Sequence, residues 1–289
     1  MSKRYLIINA DDFGVCPQTN EAIEKAFDKR INICSTTLMT PCHYAEDALM
    51  IAKNNPKMQV GLHITTTSEW PSLKWGPVAP LEQVQSLVDE NGHFYATSNA
   101  FAQKARADEV AVEIEAQYQF MASRGVLPTH ADSHMGSVYG VSGPSFMKET
   151  LEFCAKYKLP FRFIKNLESV RNIIGNADIR EMHQQVLAYA KHLGVDLIDS
   201  MYSCHVDFIN IKDYDDMKAN YFKIISNLPA GVSEIFMHPS MANSPVAVDS
   251  TKWQQRVWEH RLLMDDDLRK HIDKEGITLV SYQNAPFAD

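Results

Sequence analysis

Short β-prone segments alternate with helical segments along most of the chain. The first, Arg4–Ile8, is apolar and typical of a buried strand, and the last covers Ile277–Tyr282. Helix signals separate them, such as Pro17 in a first helical turn and Gly125 after a helical segment. About eight strands joined by helices predict an α/β fold, namely a (β/α) barrel-like single domain over residues 1–289, complete or distorted. A doubly wound open sheet is the alternative.

Residues 66–106 interrupt this alternation. A connection of this length is typical of a lid, a binding loop or an insert. Its two tryptophans, Trp70 and Trp75, either stack on a sugar ring or pack the segment against the body of the protein, and we favour packing for each of them. Near the end of the chain we expect one long amphipathic helix over 251–274, with the acidic run Asp265–Asp267 on its solvated face.

Composition limits the class of function. The chain has 289 residues, of which 45% are hydrophobic, and a net charge of −8, which argues against nucleic acid as a partner. We find no apolar run long enough for a signal peptide or a membrane span. Five dispersed cysteines predict reduced thiols and a cytoplasmic protein. Exposed apolar residues on the last helix suggest a homodimer.

Polar residues stand at the predicted carboxyl ends of several strands, where a barrel gathers its site residues on one rim. A carboxylate with two imidazoles is a suitable ligand set for a catalytic divalent metal. A second carboxylate beside it would take a proton, and another imidazole would protonate a leaving group. In chain order the residues are Asp11, Asp12, His63, His130, Asp132, His134 and His238.

Each of these residues also has a structural interpretation. A single histidine at a strand end is more often hydrogen-bonded within the fold, and Asp132 with Ser133 is a sequence that caps turns. Arg162, near the end of the fifth strand, either orients Asp11 or contacts substrate, or else forms a surface ion pair of little energetic value. His205 and Asp207 either line the pocket or belong to a surface loop, which we favour.

Five short segments form a recognisable set, namely Asn9–Gly14, Ser35–Thr37, Gly61–His63, Thr129–His134 and Met237–Pro239. Together they resemble a known family, the YdjC-like carbohydrate deacetylases, which include the chito-oligosaccharide deacetylases. The segments occur in the family's order and spacing, so the resemblance covers nearly the whole chain. It implies a (β/α) barrel-like enzyme that removes the acetyl group from an N-acetylated amino sugar or oligosaccharide.

The resemblance also implies roles for single residues. Asp12, His63 and His134 would hold one divalent metal ion. One carboxylate with two imidazoles suits Zn²⁺, Co²⁺, Ni²⁺ or Mn²⁺, whereas family members are often described with Mg²⁺, so Mg²⁺ and Zn²⁺ both stay open. Asp11 would act as general base and His238 as general acid. To these we add a set of expected substrate-binding residues, namely His130, Asp132 and Arg162.

One departure from the family pattern concerns the substrate. Family members often carry further histidines at the second and fourth positions after the one matched by His134, and Gly136 and Val138 stand there in this chain. The metal ligands are unaffected, but the pocket wall differs. Two alternatives therefore stay open: a metal-dependent hydrolase of a non-sugar amide or ester, and a non-catalytic carbohydrate-binding barrel protein. The pair of Asp11 and His238 argues against the second.

Overall fold

The computed structural model describes residues 3–29, 32–141, 143–170, 179–204 and 211–287. His205 and Asp207 lie outside these ranges, so their placement stays a prediction. None of the described helices is both long and apolar enough to cross a membrane. The five cysteines are free thiols. The expected homodimer and cytoplasmic location stay predictions.

A parallel sheet curls into a nearly closed barrel, which confirms the predicted fold class and excludes the open sheet. Around the barrel the strands run β6-β5-β4-β3-β2-β1-β8-β7, and β9 pairs with the start of β1. Only Asp199 separates β6 from β7; β6 pairs with β5 and β7 with β8, so this segment joins the two sides of the sheet. The strands are β1 Arg4–Phe13, β2 Ser35–Leu38, β3 Val60–Ile64, β4 Ala131–Ser133, β5 Phe161–Ile164, β6 Leu197–Ile198, β7 Ser200–Tyr202, β8 Gly231–Met237 and β9 Thr278–Leu279.

Helices fill the connections that parallel strands require. The prediction of a single helix over 251–274 is wrong, because one helix ends at Leu263 and a second helix begins at Asp266. Asp265 caps this second helix and also accepts a hydrogen bond from Lys218, so the acidic run is not simply a solvated face. The described helices are α1 Pro17–Lys29, α2 Ala45–Asn54, α3 Ser98–Lys104, α4 Ala107–Ala122, α5 Met147–Tyr157, α6 Arg180–Leu193, α7 Tyr214–Ser226, α8 Trp253–Leu263 and α9 Asp266–Lys274.

Side chains of β1 alternate between the two faces of the barrel wall, as they must in a strand. Leu6 and Ile8 pack with Met217 of α7 on the outside. Ile7 packs with Ile198 from another strand. Further along the same strand, the residues on the face of Ile7 become polar. The barrel therefore has an apolar layer at one end and a polar layer at the carboxyl ends of its strands.

Two buried polar residues of α4 hold the inserted segment in place. Gln117 exchanges two hydrogen bonds with the backbone of Thr65, at 3.0 and 2.6 Å. Glu113 accepts the amides of Val78 and Ala79 at 3.0 and 2.9 Å. Because Thr65 follows β3 directly, the same contacts fix the end of the strand that carries a predicted metal ligand.

We expect Gln117→Leu to destabilise the protein by about 2–4 kcal/mol, because both backbone groups of Thr65 would lose their buried partners. Urea unfolding followed by circular dichroism measures the change. Gln119→Leu is the matched control, since Gln119 is exposed on the same helix and its loss should cost less than about 0.5 kcal/mol. Equal effects of the two substitutions would contradict this anchoring role.

Candidate active site

Two adjacent carboxylates, those of Asp11 and Asp12, lie near the carboxyl end of β1. In a regular strand they would point to opposite faces. Here the pairing of β1 with β2 shifts between Ala10 and Phe13, and Asp12 has a left-handed backbone with φ of 66°. Such an irregularity re-aims a side chain, and both carboxylates line one cavity. The sequence indicated the acidic pair but gave no signal for the irregularity that lets both reach the cavity.

Arg162, on β5, holds Asp11 in place, which is one of the two roles that the sequence predicted for it. Its Nη1 and Nη2 each donate to a different oxygen of Asp11 at 2.7 Å. Asn9 Nδ2 donates to the same carboxylate at 2.8 Å. Burial alone would raise the pKa of Asp11, but the charge and hydrogen bonds of Arg162 outweigh it and hold this pKa at about 2. Asp11 is therefore an ionised carboxylate with a fixed orientation.

Asp12, His63 and His134 bring three donor atoms together. Oδ1 of Asp12 lies 3.5 Å from Nε2 of His63 and 3.4 Å from Nδ1 of His134. The two nitrogens are 3.3 Å apart. Within the described ranges, this buried oxygen of Asp12 accepts no hydrogen bond. The spacing suits one shared ion, since ligands ~2.1 Å from a tetrahedral cation lie about 3.4 Å from each other.

Both histidines are oriented by carboxylates on their far sides. His63 Nδ1 donates to Oδ1 of Asp132 at 2.6 Å. His134 Nε2 donates to Oε2 of Glu69 at 3.0 Å. With one nitrogen bound in this way, the other faces the cluster, where it would offer its lone pair to a cation after losing its proton.

Arg256, on α8, orients the third member of the cluster. Its Nη1 donates to Oδ2 of Asp12 at 2.7 Å, so only Oδ1 of that carboxylate faces the histidines. The guanidinium itself lies 5.4 Å from the ring centroid of Trp70 and 5.7 Å from that of Trp253. These two indoles shield the ion pair from water, which strengthens it.

Negative charge exceeds positive charge in the buried groups around the cluster. Burial alone would lower the pKa values of His63 and His134, but the neighbouring carboxylates raise them to about 10 and about 9. An electrostatic environment that favours positive charge, with an O,N,N donor set, fits a divalent cation. The buried carboxylates are those of Asp11, Asp12, Asp132, Glu234 and Glu259, against the guanidiniums of Arg162 and Arg256.

A second group of donor atoms in the described residues, from Asp11, His63 and Asp132, also lies close together. It fits an ion less well. The guanidinium of Arg162 already binds Asp11 and Asp132, and the His63 nitrogen in this group is hydrogen-bonded to Asp132. The cluster of Asp12, His63 and His134 is therefore the better candidate for a metal site.

His238 follows β8 and faces the same cavity. Its Nε2 lies 4.0 Å from Oδ2 of Asp11, and its ring meets the ring of Phe236 edge-on, with centroids 5.6 Å apart. Burial lowers its pKa, so the neutral imidazole is favoured. The structure thus brings this histidine close to the carboxylate with which the sequence paired it.

His130 and Asp132 do not line the cavity, in contrast to the expectation that they contact substrate. Both are fully buried, and the ring of His130 stacks on that of Tyr282 with centroids 3.9 Å apart. A Cβ at Gly61 would lie 2.5 Å from the His130 ring, so glycine is required there. Burial lowers the pKa of His130 to about 3. Neither side chain has a surface open to a ligand, whereas Arg162 does line the cavity.

The cavity has a volume of about 680 Å³, which is within the usual range for small-molecule sites. Gly136 lines it, whereas Val138 is buried elsewhere. Trp70 also lines it, although it is mostly buried. Trp75 packs the insert, as we favoured, and its Nε1 donates to the carbonyl of Thr67 at 2.8 Å. The predicted site residues that line the cavity are Asp11, Asp12, His63, His134, Arg162 and His238.

Three residues of the site were missed by the sequence analysis. Glu234 carried a signal, because a lone charge within the apolar run of β8 indicates a buried partner. That partner is Arg162, at 2.6 Å. Glu69 and Arg256 carried none, since one belongs to the irregular insert and the other to a helix about 240 residues after the acidic pair.

Fold and site together define an α/β-barrel protein with acid–base groups and a candidate cation site at its strand ends. The sequence matches the profile of the family described as YdjC-like protein over residues 5–274. This chain belongs to the YdjC family.

Relatives of known name match between 72% and 98% of this chain. A carbohydrate deacetylase of Geobacillus stearothermophilus is 29% identical over 283 residues, which cover 97% of each chain. A chitooligosaccharide deacetylase of Yersinia enterocolitica is 31% identical over 226 residues, which cover 72% of this chain and 83% of that protein. A crystal structure of a proposed cellobiose-phosphate cleavage protein from Enterococcus faecalis matches with a TM-score of 0.78 and 26% identity, covering 98% of both chains.

Arg162→Lys should raise the pKa of Asp11 from about 2 toward its ordinary range, because an ammonium cannot donate two parallel hydrogen bonds to one carboxylate. Carbon-13 NMR of the Asp11 carboxyl group between pH 3 and 7 would detect this rise, because a pKa of about 2 in the wild type leaves the group ionised over nearly all of that range. Arg124→Lys, at a surface ion pair with Glu46, is the control and should leave the signal unchanged. If the chemical shift of the Asp11 carboxyl group were as independent of pH in Arg162→Lys as in the wild type, Arg162 would not be the group that lowers this pKa.

Proposed function

We propose that this protein is a metal-dependent hydrolase that removes the acetyl group from an N-acetylated amino sugar or oligosaccharide. The observation that carries the proposal is that an ionised carboxylate, Asp11, and an imidazole, His238, share a cavity with a three-atom cluster suited to a cation. The names of the relatives, carbohydrate deacetylase and chitooligosaccharide deacetylase, support the class of substrate.

Asp12, His63 and His134 would hold the ion, which we propose to be Mg²⁺ or Zn²⁺, with Mn²⁺ or Co²⁺ as alternatives. When bound, such an ion lowers the pKa of water and polarises a carbonyl group. Arg256 keeps the second oxygen of Asp12 engaged, so that Asp12 offers a single ligand atom.

Asp11 is the proposed general base. Its carboxylate is ionised across the physiological range, and Arg162 and Asn9 hold it in one orientation. A base of this kind needs correct placement more than high basicity when the water is already acidified. Arg162 thus acts on the reaction through Asp11.

His238 is the proposed general acid. Amide hydrolysis requires a proton at the departing nitrogen. His238, which is neutral at rest, would donate it after taking up the proton that Asp11 removes from water. Because burial lowers the pKa of His238, its protonated form gives up a proton readily. The distance of 4.0 Å between its Nε2 and Asp11 leaves a short path for a proton from base to acid.

Acetate release tests the reaction directly. Chelator-treated protein would be assayed with N-acetylglucosamine, diacetylchitobiose and longer oligomers, after Mg²⁺, Mn²⁺, Co²⁺ or Zn²⁺ is restored singly. We expect acetate only after a metal is restored. If the metal binds but no sugar yields acetate, the proposal is wrong and the non-sugar hydrolase or the binding protein gains support.

Asp11→Asn should lower kcat by about 10²–10⁴-fold, because the amide cannot take a proton. Calorimetric titration should show that this variant binds metal like the wild type, whereas His63→Ala should lose metal. Asp215→Asn, at an exposed position, is the control and should stay within about twofold of wild-type kcat. Wild-type turnover by Asp11→Asn would remove Asp11 from the role of base.

Glu69→Ala should weaken metal binding by about 10–100-fold, because His134 would lose the partner that fixes its orientation. Isothermal titration of chelator-treated protein with Zn²⁺ measures the affinity. Glu69→Gln keeps an acceptor oxygen and should restore most of it. Glu90→Ala, on the same insert but exposed, is the control. Affinity unchanged in Glu69→Ala would show that Glu69 does not position the ligand.

A further inference from the structure

Apolar side chains from three segments line part of the cavity. Ile164 ends β5 and Leu167 lies in the turn after it, Ile179 and Met182 stand at the start of α6, and Met201 lies on β7. We call these five residues the apolar arm. All except Ile164 stay partly exposed. Partly exposed apolar side chains that converge on one cavity are typical of ligand-binding surfaces.

The apolar arm adjoins the groups that would carry out the reaction. Ile164 follows Arg162 on β5, separated by one residue. Phe236 lines the cavity beside the proposed base and acid, with its ring centroid 5.3 Å from the guanidinium carbon of Arg162 and 5.6 Å from the ring centroid of His238. A substituent near the scissile amide would therefore reach the arm.

Two polar groups next to the arm, among the described residues, are engaged within the fold. His183 Nε2 bonds to the carbonyl of Ile164 at 2.8 Å, and the hydroxyl of Tyr139 donates to the carbonyl of Arg162 at 2.8 Å. Sugar hydroxyls placed against the arm would lose water without gaining partners from these groups, which is unfavourable, whereas hydrocarbon would be stabilised there.

Another part of the cavity suits a sugar better. Residues 249–252, before α8, contribute an aspartate, a serine, a threonine and a lysine to the lining. Trp70 and Arg256 line the cavity as well. Hydroxyl groups, charged groups and an indole are the groups that bind sugar hydroxyls and sugar faces. One part of the cavity is therefore apolar and another part is polar, which suits a ligand that has both an apolar and a polar part.

We propose that the substrate carries an apolar group that occupies the apolar arm, while its amino sugar faces residues 249–252. This inference rests on the proposed amide hydrolysis of an N-acetylated amino sugar and extends its substrate class to amino sugars that carry a hydrocarbon group. The hydrocarbon is either an acyl group longer than acetyl or an apolar aglycone. In both cases water breaks the amide C–N bond, its oxygen becomes part of the released carboxylate, and the departing nitrogen takes up the proton.

Two series of substrates distinguish a long acyl group from an apolar aglycone as the source of the hydrocarbon. The first varies the acyl group on glucosamine from acetyl through butanoyl and hexanoyl to octanoyl. The second keeps acetyl and compares the methyl with the octyl β-glycoside of N-acetylglucosamine. Each methylene that leaves water should raise kcat/KM by up to about fourfold. We expect a rise of at least tenfold within one series.

A charged substitution in the apolar arm tests whether the hydrocarbon of the substrate binds there. In Met182→Glu the hydrocarbon of the substrate would meet a charge. The kcat/KM of the longest member of the preferred series should then lie within about twofold of the kcat/KM of the shortest member. Met50→Glu makes the same change at an exposed position on α2 and should keep the wild-type ratio. Thermal melting of both variants checks that each is folded.

The outcomes separate this inference from the proposed function. If the acetyl substrates are hydrolysed but neither series changes kcat/KM by more than twofold, the apolar arm is not a substrate site and the proposed function stands. A preference that persists in Met182→Glu places the hydrocarbon elsewhere and also overturns the inference. If no member of either series is hydrolysed with metal bound, the proposed function itself is wrong, and the inference falls with it.

Discussion

A buried guanidinium, that of Arg162, lies between carboxylates from three strands of the barrel: Asp11 of β1, Asp132 of β4 and Glu234 of β8. Without it these groups would repel one another in a medium that screens charge poorly. Burial already raises the pKa of Glu234 to about 7 despite the contact. Removal of one partner from such a buried set typically costs 3–5 kcal/mol. The polar end of the barrel thus depends on this one side chain, while the apolar layer around Ile7 stabilises the other end.

Two arginines give neighbouring carboxylates different properties. Arg162 engages both oxygens of Asp11, so that this group is ionised and immobile. Arg256 engages one oxygen of Asp12 and leaves the other directed at His63 and His134. Adjacent residues of one strand can therefore serve as base and as ligand in the proposed reaction. The difference arises from partners on β5 and α8, far away in sequence.

The barrel could be predicted because several strands, such as β1, β5 and β8, carry an apolar pattern, and because residues at the carboxyl ends of parallel strands lie at one end of a barrel whatever the conformation of the loops. How deep inside the barrel each of these residues lies could not be predicted. His130 and His134 belong to one short segment, yet the first lies inside the barrel against Tyr282 and the second reaches the cavity. Nor could the contact of Glu69 be predicted, because the path of an irregular insert depends on buried tertiary partners such as those supplied by α4.

Anomalous diffraction from crystals grown with Zn²⁺ or Mn²⁺ would locate a bound metal without further assumptions. We expect one strong peak within about 2.0–2.4 Å of Asp12 Oδ1, His63 Nε2 and His134 Nδ1, with Arg256 still bound to the other oxygen of Asp12. A peak between Asp11 and Asp132, with Arg162 displaced, would show that the assigned ligands are wrong, as would metal bound only at the protein surface.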